Sequence, residues 1–120
     1  MPRYHESMRV LVFEDNLMWS SRLVQSLRGL GHEAILRTKP EVTEGEADAA
    51  IVNLGSATLT PQQLIPLLRT ARIHTIGHAG HKEKDILQLG KETGCETLVS
   101  NSELTFKLGD ILKRIQDSSQ

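Results

Sequence analysis

The chain has 120 residues, with 14 basic and 15 acidic side chains and a formal net charge of −1. One domain of this size buries roughly two thirds of the surface its unfolded chain exposes, enough for a real core. The balanced charge gives no reason to expect nucleic acid or an anionic membrane as partner, and the single cysteine, Cys95, precludes an internal disulfide and fits a reducing compartment. No apolar run is long enough to cross a bilayer and no secretory h-region precedes the first strand, so the cytoplasm is the expected location.

Residues 1–7 are polar and aperiodic, a loose leader or the overhang of an alternative start at Met8. The first strand is 10–13, a short apolar run of the kind covered by helices on both faces. Glu14 and Asp15 follow at once, and Asn16 is placed to cap a helix over 17–30. That helix turns Leu23, Val24, Leu27 and Leu30 inward, with Trp19 one turn before Leu23, and Gly29 and Gly31 can end it. Residues 33–38 read as a second strand. The stretch 39–48 holds a Pro, a Gly and four acidic residues, with Val42 and Ala47 its apolar members, and reads as a short, distorted helix or an ordered loop.

A buried third strand covers 49–54, followed by a loop over 55–59. Thr60-Pro61-Gln62-Gln63 is a helix start, with Thr60 as cap and Gln63 as its box partner. Leu64, Leu67, Leu68 and Ala71 form the inner face of this helix. The fourth strand is 73–77, with a loop at 78–81. A helix over 83–93 ends at Gly94, and the fifth strand is 96–99. Ser100 with Glu103, or Ser102 in a shifted register, caps a last helix whose Leu104, Leu108, Ile111 and Ile115 share one face. Alternating strands and helices predict a doubly wound α/β/α sandwich around a parallel sheet, in one domain over 8–117 with a short tail at 118–120.

In such a sheet, sites form at the carboxyl ends of the strands. The first strand delivers Glu14 and Asp15 there, the third Asn53, the fourth His78, and the fifth Asn101 with Ser100 beside it. With that edge assembled, the run from Met8 to about Gln116 resembles the receiver domain of two-component response regulators. The resemblance implies a flavodoxin-type, five-stranded sheet in the order 2-1-3-4-5. The family has an acidic pair after its first strand, matched by Glu14 and Asp15. It has a phospho-accepting aspartate after the third, where this chain has Asn53. A Thr or Ser follows its fourth strand, matched to His78, and a lysine its fifth, matched to Asn101 and Ser102. The phrase 92–99 resembles the family's approach to that lysine.

The departures bear on chemistry. An amide is a poor nucleophile towards phosphorus, and replacing a carboxylate by Asn53 removes a hard oxygen that Mg²⁺ wants. The lysine and the hydroxyl are lost as well. A pseudo-receiver is expected, unable to accept phosphate in the family's usual way and without catalytic residues. Glu14, Asp15 and the Asn53 carbonyl can still offer three oxygens for weak Mg²⁺ or Ca²⁺ binding. Alternatively, Asn53 hydrogen-bonds Asp15 and keeps the pocket closed without a third negative charge. No other cofactor is implied.

His74, His78 and His81 lie close in sequence, but their spacing is no metal signature and no cysteine supports it. The loop containing Gly55, Ser56 and Thr58 could present backbone N–H groups to an anion. It matches no phosphate-binding fingerprint. Ser56 lacks the nucleophile-elbow pattern. Cys95 has no base beside it in sequence.

Two classes of function follow. The first is an interaction module that meets a protein partner, or a second copy of itself, through the face made by the helix over 83–93, the fifth strand and the last helix. That face carries output contacts in the family it resembles. Here it would present Lys84, Lys91, Lys107, Asp110, Lys113 and Arg114, mixed charges that favour specificity over raw affinity. The second is a phosphorelay receiver or small metal-dependent site using Glu14 and Asp15 with His78.

Overall fold

A computed structural model describes residues 7–118. Five parallel strands form one sheet: β1 (Arg9–Phe13), β2 (Glu33–Arg37), β3 (Ala49–Asn53), β4 (His74–Ala79) and β5 (Thr97–Ser100). Their spatial order is β2-β1-β3-β4-β5, the order the resemblance implied. Four helices cover the sheet: α1 (Leu17–Gly29), α2 (Pro61–Thr70), α3 (Lys84–Glu92) and α4 (Asn101–Ser118). The expected leader lies outside the described residues except for Ser7, and the last helix runs one residue past the expected domain end.

Strand alternation sorts the core into layers. Val10, Val12, Ala49, Ile51, Ile76 and Val99 pack with Leu23 and Leu27 of α1 and with Leu104, Leu108, Ile111, Leu112 and Ile115 of α4. On the other face Leu11, Phe13, Ala50 and Val52 meet Leu64, Leu68 and Ala71. A smaller group, including Leu54, Ile65, Ile86, Cys95 and Leu98, fills the space beside α3. The last helix packs as its apolar spacing predicts. In α2, however, Ile65 is buried and Leu67 is 49% exposed, against expectation. Counting from Pro61, the buried set 61, 64, 65, 68 satisfies the same helical period as the predicted set.

The stretch between β2 and β3 takes the loop form of the two expected; it contains no helix. Arg37 pairs with Glu46 and also donates to the Glu41 carbonyl at 3.0 Å. Glu46 in turn accepts from the Thr43 backbone. Val42 and Ala47 pack on the layer containing Leu11 and Phe13, so an ion-paired loop does the covering that a helix would do.

The caps split. Asn16 Oδ1 accepts from Trp19 N at 3.1 Å, as predicted. Ser100 and Glu103 form the reciprocal box at 3.0 and 3.1 Å. Thr60 does not cap with its side chain: its φ is 42°, and Gln63 N donates to its backbone carbonyl instead. The left-handed backbone at Thr60 accompanies the tight approach into Pro61, which fixes the first helical φ.

Candidate functional site

The carboxyl edge brings together most of the residues the sequence assigned to it. Val10 and Val12 face α1 and α4, as do Ile51 and Ile76. Two residues further along their chains stand Glu14, Asn53 and His78, so strand parity carries all three to that same side. The fourth strand is longer at this end than expected. His78 lies inside β4, paired in register with Asn53, instead of in the following loop. Parity in the other direction separates Asp15 from Glu14.

The result is one connected network. Glu14 is buried, and its Oε2 accepts from Asn53 Nδ2 at 2.9 Å and from Asn16 N at 3.2 Å. Its Oε1 faces His78 Nε2 at 3.5 Å, within ion-pair range but without hydrogen-bond geometry. His78 Nδ1 meets Asn101 Oδ1 at 2.7 Å. The Trp19 ring lies 5.8 Å from the imidazole, and Arg22 lies 5.9 Å from the Trp19 ring. Burial pushes the Glu14 carboxyl up, but His78, Asn53 and the Asn16 backbone together hold it below its ordinary value.

Two expectations are corrected here. Asn53 closes on Glu14, not on Asp15; Asp15 instead accepts from Ser56 Oγ at 2.6 Å. The loop after β3 spends hydrogen-bonding groups on itself: Gly55 N donates to Asn53 Oδ1 at 2.9 Å, Ser56 N to Asn53 O at 3.2 Å, and Leu59 N to Ser56 Oγ at 3.3 Å. Gly55 and Ser56 thus serve the loop's own turn, while Thr58 is exposed. The Asn53 oxygen that was to join Glu14 and Asp15 around a cation is directed to Gly55 N. Among the described residues no group of three or more His, Cys, Asp and Glu is placed to hold a metal.

The three neighbouring histidines go to three places. His74, at the start of β4, meets Thr97 Oγ1 at 2.7 Å and Glu96 at 3.3 Å. His78 is in the pocket, and His81 is exposed in the turn after β4. Cys95 is packed away, with its thiol pushed up to about 11 by burial. The contribution of Trp19 to the pocket was missed; a Trp in the first turn after an edge carboxylate was the available signal. Lys84, Lys91, Lys107, Asp110, Lys113 and Arg114 are all exposed on α3 and α4. Lys107 sits at a kink within α4, with φ −126°. Among the described residues no helix is long and apolar enough to cross a membrane.

No family model matches this sequence, and no curated protein matches it. Solved structures do. The chain is similar to the Francisella response regulator 1452 receiver domain, at 12% identity and a TM-score of 0.78, covering 95% of this chain and 100% of that one. It is similar to the chemotaxis response regulator CheY4 of Vibrio cholerae, at 14% identity and 0.75, covering 92% and 99%. It is also similar to the BeF3-activated receiver domain of DrrB, at 11% identity and 0.76, covering 93% and 99%. Sheet order, helix placement and these likenesses agree: the chain has the fold of a response-regulator receiver domain.

Proposed function

We propose that this protein is a receiver-type signalling module that works through contact with a protein partner and does not take a phosphoryl group in the usual way of the family it resembles. The observation that carries this reading is Asn53. Its amide occupies the end of β3, and both ends of it are engaged, with Glu14 and with Gly55. It has no anionic oxygen with which to attack phosphorus. The partner-facing side is α3, β5 and α4, with the exposed charges named above; a second copy of the chain is one candidate occupant. The cytoplasm is the proposed location, on the strength of the lone cysteine.

A second reading has its own support. The similar structures are of response regulators and receiver domains, one of them BeF3-activated, and by themselves they lean towards a phosphorelay receiver. The structure also brings His78 against Glu14, the residues that a relay or a small metal-dependent site would use. The two readings separate in one experiment. The protein is incubated with Mg²⁺ and an acyl-phosphate donor or a fluoroberyllate mimic, and the backbone amides of 54–58 and 78–82 are followed by NMR. The expected result is no saturable shift; a saturable shift at these amides overturns the contact-only reading in favour of the relay.

A further inference from the structure

β5 is an outer strand of the sheet. Its first residue, Thr97, pairs in register with Ile76, which packs towards α1 and α4, and His74 stands two residues before Ile76 on β4. Parity therefore puts His74 and Thr97 on the same side of the sheet, the side that α4 covers. His74 Nε2 lies 2.7 Å from Thr97 Oγ1, and Glu96 Oε2 lies 3.3 Å from His74 Nδ1, within ion-pair range. Glu96 is steadied by Thr75 N, which donates to its Oε1 at 3.4 Å. The carboxylate beside Nδ1 favours the hydrogen on that nitrogen, and Nε2 then accepts from the Thr97 hydroxyl. Hydroxyl, imidazole and carboxylate in this order are a nucleophile, its base and the group that orients the base. The cluster lies at the amino ends of β4 and β5, away from the pocket around Glu14.

His74, Glu96 and Thr97 open into a groove of about 370 Å³ between β5 and α4, a size that takes a small molecule. Val99, Ile111 and Ile115 give it an apolar floor, and Arg114 gives it a cation. The strand ladder places one further donor. His74 N donates to Asp48 O and Leu54 N to His78 O, so residues 74, 76 and 78 turn their backbone groups towards β3, and residues 75, 77 and 79 towards β5. Thr97 and Val99, in register with Ile76 and His78, then turn theirs back to β4. That leaves the Leu98 N–H directed to the outer edge, on the residue directly after Thr97. We propose that Thr97, His74 and Glu96 form an acyl-transfer site for small carboxylic esters with a short apolar acyl chain. Thr97 Oγ1 bonds to the ester carbonyl carbon while His74 Nε2 takes the hydroxyl proton. The Leu98 N–H and the Arg114 guanidinium are the groups available to the oxyanion. The carbon–oxygen bond to the alcohol breaks, and His74 hands its proton to the departing oxygen. Water then attacks the acyl carbon and gives a proton to His74, Thr97 recovers it, and the carboxylic acid leaves. Glu96 touches no reacting atom and acts as a positioning residue. This goes beyond the contact-only reading and holds or fails independently of it, because it uses none of the residues around Asn53.

The test is hydrolysis of p-nitrophenyl acetate and p-nitrophenyl butyrate by the full chain at neutral pH, with acid-quenched samples mapped by peptide mass spectrometry. The expected result is saturable hydrolysis by the parent, with the acyl group found on Thr97. Thr97→Ala and His74→Gln should each lower kcat by about a hundredfold or more. Thr97→Ser should keep the hydrolysis, which ties the loss in Thr97→Ala to the hydroxyl and not to folding. Glu96→Gln should lower kcat about tenfold and leave KM in place, a split that a general loosening of the groove does not produce. His81→Gln, on the exposed turn after β4, should leave the rate unchanged. No hydrolysis by the parent overturns the proposal. So does a rate in Thr97→Ala equal to that of the parent, or an acyl group carried by the His74 ring or by lysines and absent from Thr97.

Discussion

Replacing Asn53 by Asp introduces the residue type that the resemblance to receivers implies for this position, and the network makes its cost calculable. The Oδ1 contact to Gly55 N survives, since either carboxylate oxygen can accept it. The other contact reverses sign: Asn53 Nδ2 donates to Glu14 Oε2 at 2.9 Å, and a carboxylate there would set anion against anion. Two unit charges at this range repel by about 6 kcal/mol at an effective dielectric constant of about 20. The pair need not bear all of that, because the introduced carboxyl can take up a proton and become a donor again. Protonating a carboxyl of ordinary value, about 3.9, at neutral pH costs about 4 kcal/mol, which caps the penalty. We expect Asn53→Asp to lose about 2–4 kcal/mol of unfolding free energy at neutral pH without divalent ions, shrinking to about 1 kcal/mol at about pH 4.5. Urea denaturation at the two pH values, for parent and variant, measures it. Equal stability at neutral pH would refute the assignment of Asn53 as a donor to Glu14. On the proposed contact-only reading, the same variant, given Mg²⁺ and an acyl-phosphate donor, should not phosphorylate fully and fast, because the resemblance matches Asn101 and His78 to the family's Lys and its Thr or Ser.

Other perturbations probe the same structure. Ser56→Ala removes the hydroxyl shared between Asp15 and Leu59 N and should cost about 1–3 kcal/mol by denaturation. Glu46→Gln breaks the Arg37 pair and should speed amide hydrogen exchange across 38–48 while leaving α4 protected; unchanged exchange there would show that the apolar contacts of Val42 and Ala47 suffice. The Glu14 and Glu46 carboxyls are both held below their ordinary value of 4.5, Glu46 chiefly by Arg37. Their folded state binds protons more weakly than the unfolded chain, so their contribution is present above 4.5 and is lost as pH falls through the lowered values. Glu14→Gln or Glu46→Gln should flatten that acid slope in thermal melts. Cys95, with its thiol pushed up to about 11 by burial, should not react with a disulfide reagent at mildly alkaline pH until the protein is unfolded.

Much of this was legible in the residues. The apolar runs, the Asn16 and Ser100 caps and the spacing of Leu104, Leu108, Ile111 and Ile115 are local signals, and local signals survive folding when burial agrees with them. The site's membership was legible too, because the carboxyl ends of parallel strands share one edge. Its wiring was not. Which carboxylate Asn53 would reach depended on where each strand ended and on which face its last residue took. The sequence reading ended the fourth strand one residue before His78, and without that strand the parity that joins Glu14, Asn53 and His78 could not be seen.

The sequence by itself determined the alternation of strands and helices and the presence of an amide, Asn53, at the end of the third strand, because side-chain type and period are properties of the chain alone. Only the tertiary structure decided that Glu14 turns inward while Asp15 turns to Ser56, and that an ion-paired loop replaces a helix before β3. The long-range contacts that wire the pocket join residues 23 to 64 positions apart in the chain. Distance along the sequence does not encode them, whereas register, strand length and face do.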